Sequence, residues 1–443
     1  IGDQSKIPTT IISVFGVFHM TATWISDLTQ CVPDSAISES SSGNNWRSIE
    51  YESGVVKGVL LSANPGAPEL KLRLAVNGWH AIYVGLWGRD ALRLKLTSDS
   101  CFTRLLPEFE GRAGETICDG FFKFENLSGQ DLVISADSRG PFGGNPTWSS
   151  IAYVRCEPLT KSQLRTIKED CEKILIATND GECVTHCKSE DDIKEFIEPF
   201  RDSDFGDIYW GIVGEFATHP TAIGIERYRK LDPDSGGSEL ARKGINAMKV
   251  AMDHAHSIGV GFHVYQRMGA FGSVPPIKGN DGFYDELFTG KFYQDHPEWR
   301  CVDKEGRAMF RMSYAYAGVR EFSIAILSEM ANYGVDGLNL QFKRGAPFVM
   351  YEDPLVDGFR SETGLDARNL DEWDESWLRY RYWPLTEYVK SLREELDRIG
   401  NRIGKKIQLS VTAFPSKDEN LFFGLDLKTW VDNGLIDVLT TMS

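Results

Sequence analysis

The fold is decided by the stretch Gly334-Val-Asp-Gly-Leu-Asn-Leu-Gln-Phe-Lys-Arg-Gly-Ala-Pro347. It begins at a glycine turn, continues as an apolar-rich run from Val335 to Phe342, and breaks at the Arg-Gly-Ala-Pro sequence that follows. A run of this length between two helical patterns predicts a buried β-strand. In a barrel of alternating strands and helices, functional groups lie at the carboxyl ends of the strands. That end of this stretch carries Gln341, Lys343 and Arg344.

The second half of the chain alternates strand patterns with helical patterns around this stretch. Five further strands are predicted near residues 173–181, 207–215, 259–266, 406–414 and 436–442. The clearest helical pattern runs from Leu378 to Ile399 and contains Pro384, which predicts a kink or two consecutive helices. The alternation predicts a parallel sheet with right-handed crossovers. Because the turn after the first strand lacks a glycine-rich phosphate loop, a TIM-type (β/α)8 barrel is favoured over a Rossmann sheet.

A chain of 443 residues is long enough for two domains. We expect an N-terminal segment or linker at 1–46, an antiparallel β-sandwich of jelly-roll type at 47–157, and the barrel at 158–443. The sandwich is predicted from short runs of period-2 alternation separated by turn residues such as Asn77-Gly78. Six predicted strands are two fewer than a (β/α)8 barrel requires, so we expect a barrel that is cut at the C-terminus.

Composition excludes some classes of partner. The net charge of −16 argues against a nucleic-acid partner, since a phosphate backbone requires a basic surface. No run approaches the roughly 18 apolar residues that a membrane span requires, so none is expected. The apolar segment Ile11 to Phe18 is interpreted either as the remnant of a signal peptide or as a buried strand. The first interpretation favours a secreted or periplasmic protein, whereas the oligomeric state is not readable from the sequence.

No metal or cofactor is predicted. Cys183-Val-Thr-His-Cys187 lacks a second pair of ligands at zinc-finger spacing. His254-Ala-His256 lies at the end of a helical pattern rather than a strand, which argues against the metal pair of a barrel hydrolase. The eight cysteines are too dilute for a disulfide scaffold and leave disulfide pairing open.

Four segments of the second half resemble one bacterial family. They are His296-Pro-Glu-Trp-Arg-Cys-Val-Asp-Lys-Glu-Gly306 with the following Ser313–Phe322, Asp336-Gly-Leu-Asn-Leu-Gln-Phe-Lys-Arg344, Glu419-Asn-Leu-Phe-Phe-Gly-Leu-Asp426, and Trp430-Val-Asp-Asn-Gly-Leu-Ile-Asp437. Together they resemble the bacterial glycosyl-hydrolase-like family ten over residues 171–443. The resemblance implies a TIM-type barrel that acts on glycosidic bonds or descends from enzymes that do.

One residue departs from the family pattern. The family has an aspartate at the end of the strand, where this chain has Gln341. A carboxylate can act as nucleophile or base, whereas an amide can only form hydrogen bonds. Asp336 does not replace it, because it lies at the start of the strand, on the face of a barrel that serves stability.

Glycoside hydrolysis usually requires two carboxylates at the carboxyl ends of the strands. The candidates are Glu352 after the fourth strand, Glu215 at the end of the second, and Asp418 and Glu419 after the fifth. The alternative for Glu352 is a loop acid paired with Arg344. Asp180, after the first strand, is interpreted as a turn former.

The predicted sugar-binding residues are polar or aromatic. Alternation places His263, Tyr265 and Arg267 on one face of the third strand, with a buried interior histidine as the alternative for the first of them. Gln341 and Arg344 complete the set at the end of the fourth strand. The insertion 267–315 is rich in aromatic residues, including Trp299, and is predicted to be either a sugar subsite or a self-packed subdomain.

Three functions are therefore considered. The first is a glycoside hydrolase that cleaves a polysaccharide or oligosaccharide with paired carboxylates. The second is a non-catalytic carbohydrate-binding relative that lost its strand-end acid at Gln341. The third is a metal-dependent hydrolase on the same barrel, against which the missing pair of strand-end histidines argues. The identity of the sugar, its linkage and the stereochemical outcome cannot be predicted from the sequence.

Overall fold

The computed structural model describes residues 22–40, 44–53, 56–87, 91–106, 117–138, 148–169, 173–226, 234–269 and 290–442. The predicted segment 11–18 and the first part of the aromatic insertion, 270–289, lie outside the described residues. The chain divides into one unit at residues 1–171 and a second at residues 172–443.

The first unit consists mainly of antiparallel strands. They are β1 Thr23–Ile25, β2 Ile37–Ser38, β3 Trp46–Ser53, β4 Val56–Ala63, β5 Leu70–Arg73, β6 Trp79–Trp87, β7 Leu92–Leu96, β8 Thr103–Leu105, β9 Ile117–Asn126, β10 Asp131–Ala136 and β11 Ser149–Pro158, followed by helix α1 Lys161–Glu169. One sheet has the order β2-β3-β4-β11-β6-β9, with β1 paired to β11, and the other has the order β5-β10-β7-β8.

The two sheets of the first unit share one apolar core. Alternate residues point inward, as Leu70 and Leu72 do on β5 and Ile82 and Val84 do on β6, and all four are essentially inaccessible to solvent. Because one face of each strand is exposed to solvent and the other is buried, apolar and polar residues alternate along the sequence.

The second unit alternates strands and helices. Its elements are β12 Leu175–Asn179, α2 Glu190–Ile197, β13 Phe205–Val213, β14 Phe216–Ala217, β15 Ile225–Glu226, α3 Gly236–Arg242, α4 Ala247–Ser257, β16 Gly261–Arg267, α5 Lys291–Asp295, β17 Arg300–Val302, β18 Ala308–Met312, α6 Ala317–Ala331, β19 Gly337–Gln341, α7 Asp353–Thr363, α8 Glu375–Tyr380, α9 Trp383–Ile403, β20 Gln408–Ala413, α10 Lys417–Phe422, α11 Leu427–Asp432 and β21 Val438–Thr441.

Six of these strands form a parallel sheet in the order of the sequence, β12-β13-β16-β19-β20-β21. This is the order of the first six strands of a (β/α)8 barrel. The described strands do not close into a ring, so the closed barrel stays a prediction. Within the described residues, β12 is an end strand that pairs with β13 alone.

The stretch 334–347, from which the sequence analysis started, contains β19, in the middle of this sheet. Gly334 adopts a φ of 89°, a conformation that favours glycine, in the turn between α6 and the strand. Leu338, Leu340 and Phe342 are fully buried in the core that the sheet shares with the helices. The predicted interruption near Pro384 is confirmed, since α8 and α9 are separate helices and Pro384 lies in the first turn of α9.

Asp336 joins several elements at the amino edge of the sheet, as predicted for a residue that serves stability. Its carboxylate accepts hydrogen bonds from the Phe262 amide and from Nε2 of His256, both at 2.7 Å, and it lies 2.7 Å from Nζ of Lys405. Burial alone would raise the pKa of Asp336, but these three donors outweigh it and lower the pKa below its ordinary value.

In the part of the chain that the structure describes, no helix combines the length and the apolar character of a membrane span. Among the described residues, Cys31, Cys118, Cys156 and Cys301 are free thiols.

The role of Asp336 can be tested by Asp336→Asn. We expect the free energy of unfolding at neutral pH to fall by about 1–3 kcal/mol, because three donors lose a charged acceptor. Since the pKa of Asp336 is lower in the folded state than in the unfolded chain, the carboxylate stabilises the fold above the unfolded pKa, and this contribution disappears as the pH falls through the folded value.

Urea unfolding at pH 7 and at pH 3 measures both effects. The difference between wild type and Asp336→Asn should be smaller at pH 3. Asp357→Asn on the exposed surface of α7 is the matched control and should leave stability unchanged. Equal stability of wild type and Asp336→Asn at pH 7 would contradict the assignment.

Candidate functional site

The parallel register brings polar residues of several strands to the same height at the carboxyl edge of the sheet. Trp210, Val264 and Leu340 are fully buried in the core with the helices, so the alternate residues of the same strands lie on the opposite face. At the last paired position of each strand, that face carries Val213, Arg267, Gln341, Thr412 and, next to Thr412, Thr440.

Three side chains converge on Asp180, which directly follows β12. The hydroxyl of Tyr265 donates to Oδ1 of Asp180, and Nη2 of Arg267 donates to Oδ2 in a close ion pair. Nη1 of Arg344 donates to the same Oδ2 at 3.3 Å. The side chain of Asp180 is 37% exposed, so the carboxylate is held by protein groups and is also open to solvent.

The geometry of this cluster depends on Gly211. A Cβ atom at position 211 would lie 2.5 Å from the Tyr265 hydroxyl oxygen and 3.1 Å from Cα of Asp180. The absence of a side chain on β13 therefore leaves the space through which Tyr265 on β16 reaches Asp180 after β12. The contact between Tyr265 and Asp180 therefore depends on residues of β12, β13 and β16 together.

Gln341 lies beside the cluster with unused hydrogen-bonding capacity. Its side chain is 3% exposed, and Oε1 has no hydrogen-bond partner among the described residues. Nε of Arg267, which is paired with Gln341 across the two strands, also lacks a described partner. A buried polar atom without a partner is costly unless another molecule supplies one. Both atoms are therefore candidates for contact with a polar ligand.

His263 lies deeper in the sheet than Tyr265 and Arg267. It is 2% exposed, stacks on Tyr209 with a distance of 4.8 Å between ring centroids, and has Nε2 3.3 Å from Oδ1 of Asp207. Asn339 and Ser410 lie between this layer and the edge and are joined by a hydrogen bond of 2.9 Å. These contacts favour the interior histidine over the sugar-binding one.

Glu352 is fully buried, away from any open edge. Its carboxylate accepts hydrogen bonds from the Met350 amide at 2.8 Å and from the Val302 amide at 3.2 Å. Burial raises the pKa of Glu352, although these amides oppose the shift. Arg344, its partner in the alternative interpretation, pairs with Asp180 instead. The contacts favour a structural carboxylate that ties β17 to the start of α7, and the catalytic role stays a prediction.

Glu215 is also enclosed. It lies in the short turn between β13 and β14 and is 3% exposed. One carboxylate oxygen accepts a hydrogen bond from the Phe292 amide in the first turn of α5 at 3.2 Å, and a Cβ atom on Gly290 would clash with the carboxylate. The carboxylate is thus in contact with the amino end of α5.

Asp418 and Glu419 follow β20 in the first turn of α10. Asp418 is exposed and Glu419 is half-buried. Ser416 caps the helix by accepting a hydrogen bond from the Glu419 amide. Neither carboxylate takes part in a hydrogen bond or ion pair with the described side chains, so both remain accessible at the carboxyl side of the sheet.

The described part of the aromatic insertion packs largely against α6 and the main core of the second unit. Trp299 stacks on His296 at 3.8 Å between ring centroids, and a Cβ atom on Gly318 of α6 would lie 2.4 Å from the indole ring. Phe292 stacks on Phe322 of α6, also at 3.8 Å. These contacts do not separate the insertion from the main core, so the sugar subsite and the self-packed subdomain both stay predictions.

The predicted residues thus fall into three groups. Tyr265, Arg267, Gln341 and Arg344 lie together at the carboxyl edge, and Asp418 and Glu419 lie in the first turn of α10 after β20. The side chains of His263, Glu215, Glu352 and Trp299 are engaged elsewhere. The sequence interpretation missed Asp180, because Asn-Asp-Gly after a strand is typical of a turn. Its position at the carboxyl end of a predicted strand was the signal that pointed to it. The two histidines His254 and His256 diverge to Glu198 and Asp336.

No family model and no curated protein matches this chain. Solved structures that match in part include an α-amylase from Lactobacillus plantarum, with 13% identity over 55% of this chain and 46% of that chain and a TM-score of 0.30. A debranching enzyme from Nostoc punctiforme has 14% identity over 61% and 53%, with a TM-score of 0.31. A cycloisomaltooligosaccharide glucanotransferase from a Paenibacillus species has 10% identity over 86% and 46%, with a TM-score of 0.36.

The chain spans about half the length of these solved chains. The TM-scores are too low to carry an argument about fold or function, so the resemblance to glycosyl-hydrolase-like family ten stays a prediction.

The structural role of Glu352 can be tested by Glu352→Ala. We expect the free energy of unfolding to fall by about 3 kcal/mol or more, because two buried amides lose their charged acceptor and a cavity forms. Urea unfolding followed by circular dichroism measures it. Glu362→Ala, at an exposed position of α7, is the control and should leave stability unchanged. A loss below about 1 kcal/mol would contradict a structural role.

Proposed function

We propose that this chain is a glycoside hydrolase that binds its carbohydrate at the carboxyl edge of the parallel sheet, with Asp180 as one of its two catalytic carboxylates. The observation that carries the proposal is the convergence of Tyr265, Arg267 and Arg344 on this solvent-accessible side chain. In sheets of this connectivity, ligands bind at the carboxyl ends of the strands.

An ionised carboxylate of this kind can attack an anomeric carbon, activate a water molecule or stabilise an oxocarbenium-like transition state. The hydrogen bonds from Tyr265, Arg267 and Arg344 all end on the oxygens of Asp180, an arrangement that suits a nucleophile or base. Tyr265 fixes the orientation of the carboxylate by its hydrogen bond to Oδ1. Asp180 would therefore supply one of the two carboxylates that hydrolysis requires.

Asp418 and Glu419 are the proposed sources of the second carboxylate. They follow β20 at the same edge and are accessible, whereas Glu215 and Glu352 are enclosed by protein. Hydrolysis with retention requires about 5–5.5 Å between the two carboxyl groups, and inversion about 6.5–9.5 Å. The hydroxyl groups of the sugar would bind to Gln341 Oε1 and Arg267 Nε, the two buried atoms that lack a described partner. The proposed chemistry uses no metal and no cofactor.

A second candidate function is carbohydrate binding without catalysis. Gln341 favours it, because an amide occupies the strand end where the resembling family has an acid. In this case the sugar would be recognised by the side chains at the carboxyl edge, which are Tyr265, Arg267, Gln341 and Arg344. Asp180 would accept hydrogen bonds from the hydroxyl groups of the sugar.

Asp180→Asn and Gln341→Asp distinguish the two functions. If the chain is a hydrolase, wild type should release products from at least one oligosaccharide in a broad panel, and Asp180→Asn should reduce kcat by about 10²-fold or more. Binding by Asp180→Asn, measured by calorimetry, should persist. Asp253→Asn on the exposed surface of α4 is the matched control and should retain full activity.

Two other outcomes decide against hydrolysis by Asp180. Binding by wild type without product, with turnover gained by Gln341→Asp, would establish the non-catalytic function. Undiminished kcat in Asp180→Asn would remove Asp180 from catalysis. Thermal melting of each variant shows whether the fold is retained.

A further inference from the structure

The side chains around Asp180 carry more positive than negative charge. Arg267 and Arg344 both pair with this one carboxylate. Lys343 directly precedes Arg344, and its Nζ lies 5.3 Å from the centre of the Phe414 ring, after β20. Two cations thus pair with one carboxylate, and a third adjoins Arg344 along the chain, in a protein whose net charge is −16. A local excess of this sign attracts anions to the site.

Arg344 has hydrogen-bond donors that its contact with Asp180 does not use. Its side chain is 51% exposed, and its contact with Asp180 is a single hydrogen bond of 3.3 Å from Nη1. Tyr265 and Arg267 already supply one donor to each oxygen of that carboxylate. An exposed pair of this geometry contributes little to stability. A guanidinium has five N–H donors, so most of those on Arg344 remain open to a ligand.

A second observation points to the same place. Oε1 of Gln341 and Nε of Arg267 are buried and lack described partners, and both lie at the carboxyl edge of adjacent strands. The site therefore combines groups that suit uncharged hydroxyls with a guanidinium, on Arg344, most of whose donors remain open. A neutral sugar would form hydrogen bonds with Gln341 Oε1 and Arg267 Nε but would offer the Arg344 guanidinium no anionic partner.

We propose that the carbohydrate bound at this edge is acidic and carries its carboxylate, as a uronic acid does, against Arg344 and Lys343. This inference rests on the proposed function, since it specifies the ligand of the same site. The planar fork of a guanidinium matches the two oxygens of a carboxylate and forms paired, charge-assisted hydrogen bonds with it. Lys343 adds a flexible charge that strengthens the attraction without fixing the geometry. Sulfated sugars share the anionic chemistry and form a separate arm of the test.

The test compares each acidic sugar with its own neutral form. The full chain is titrated by calorimetry with oligomers of galacturonate, glucuronate and mannuronate, with the methyl esters of the same oligomers, with sulfated galactan oligomers, and with neutral gluco- and galacto-oligosaccharides. We expect at least one free acid to bind about tenfold or more tightly than its ester, the effect of one hydrogen bond to a charged group. This preference should decrease as salt is raised.

Arg344→Gln should abolish the preference by weakening binding of the acid about tenfold, while affinity for the ester changes less than about twofold. Arg344→Lys should restore part of the preference for the acid, because lysine carries the positive charge but lacks the paired N–H donors of a guanidinium. Arg398→Gln, an exposed arginine of α9 that pairs with Glu395, is the matched control and should retain the preference. Melting temperatures of all three variants should equal that of wild type.

Each remaining outcome has a distinct meaning. Equal affinity for acids and esters, or binding of neutral oligosaccharides alone, would overturn the inference and leave the proposed function standing. Preference for the sulfated oligomers over every uronate would replace carboxylate recognition with sulfate recognition. Absence of binding to every saccharide in the panel would overturn the proposed function itself.

Discussion

The in-register parallel pairing of β13, β16, β19 and β20 is the constraint on which the second unit depends. Because the side chains of a strand alternate between two faces, this register sends one set into the core with the helices and keeps the other set at matching heights. Arg267, Gln341 and Thr412 reach the carboxyl edge together for this reason. A slip of one residue in any of these strands would bury the polar set and expose the apolar one.

The two edges of the sheet use carboxylates in opposite ways. At the amino edge, Asp336 is surrounded by donors from neighbouring elements and serves to hold them together. At the carboxyl edge, Asp180 is held by three donors and still faces solvent. Glu352 shows that proximity to the strand end in sequence does not make an acid accessible, since backbone amides on both sides enclose it. Accessibility, more than residue type, separates the candidate site from the structural acids.

The sequence predicted the six parallel strands, the break near Pro384 and the stabilising position of Asp336, because periodicity and turn residues are local signals. It also predicted Tyr265 and Arg267 on one face of the third strand and Gln341 and Arg344 at the end of the fourth, since these positions follow from alternation and strand ends. It could not predict the role of Asp180, whose partners are more than eighty residues away along the chain. It could not show the burial of Glu352 either, because Tyr-Glu-Asp is polar and the fold brings the amides of Met350 and Val302 to its carboxylate.

The position of β12 has a consequence for the dynamics of the site. Ile174 and Leu175 at the start of this strand are exposed, whereas the apolar residues of the central strands are buried, so the start of β12 should open locally at a lower free energy than the central strands. Asp180 is attached to its end, whereas the groups that hold Asp180 are attached to β16 and β19. A ligand that binds all of these groups would therefore hold β12 to β16 and β19. Amide hydrogen exchange in β12 should then slow in proportion to the fraction of sites occupied by the ligand.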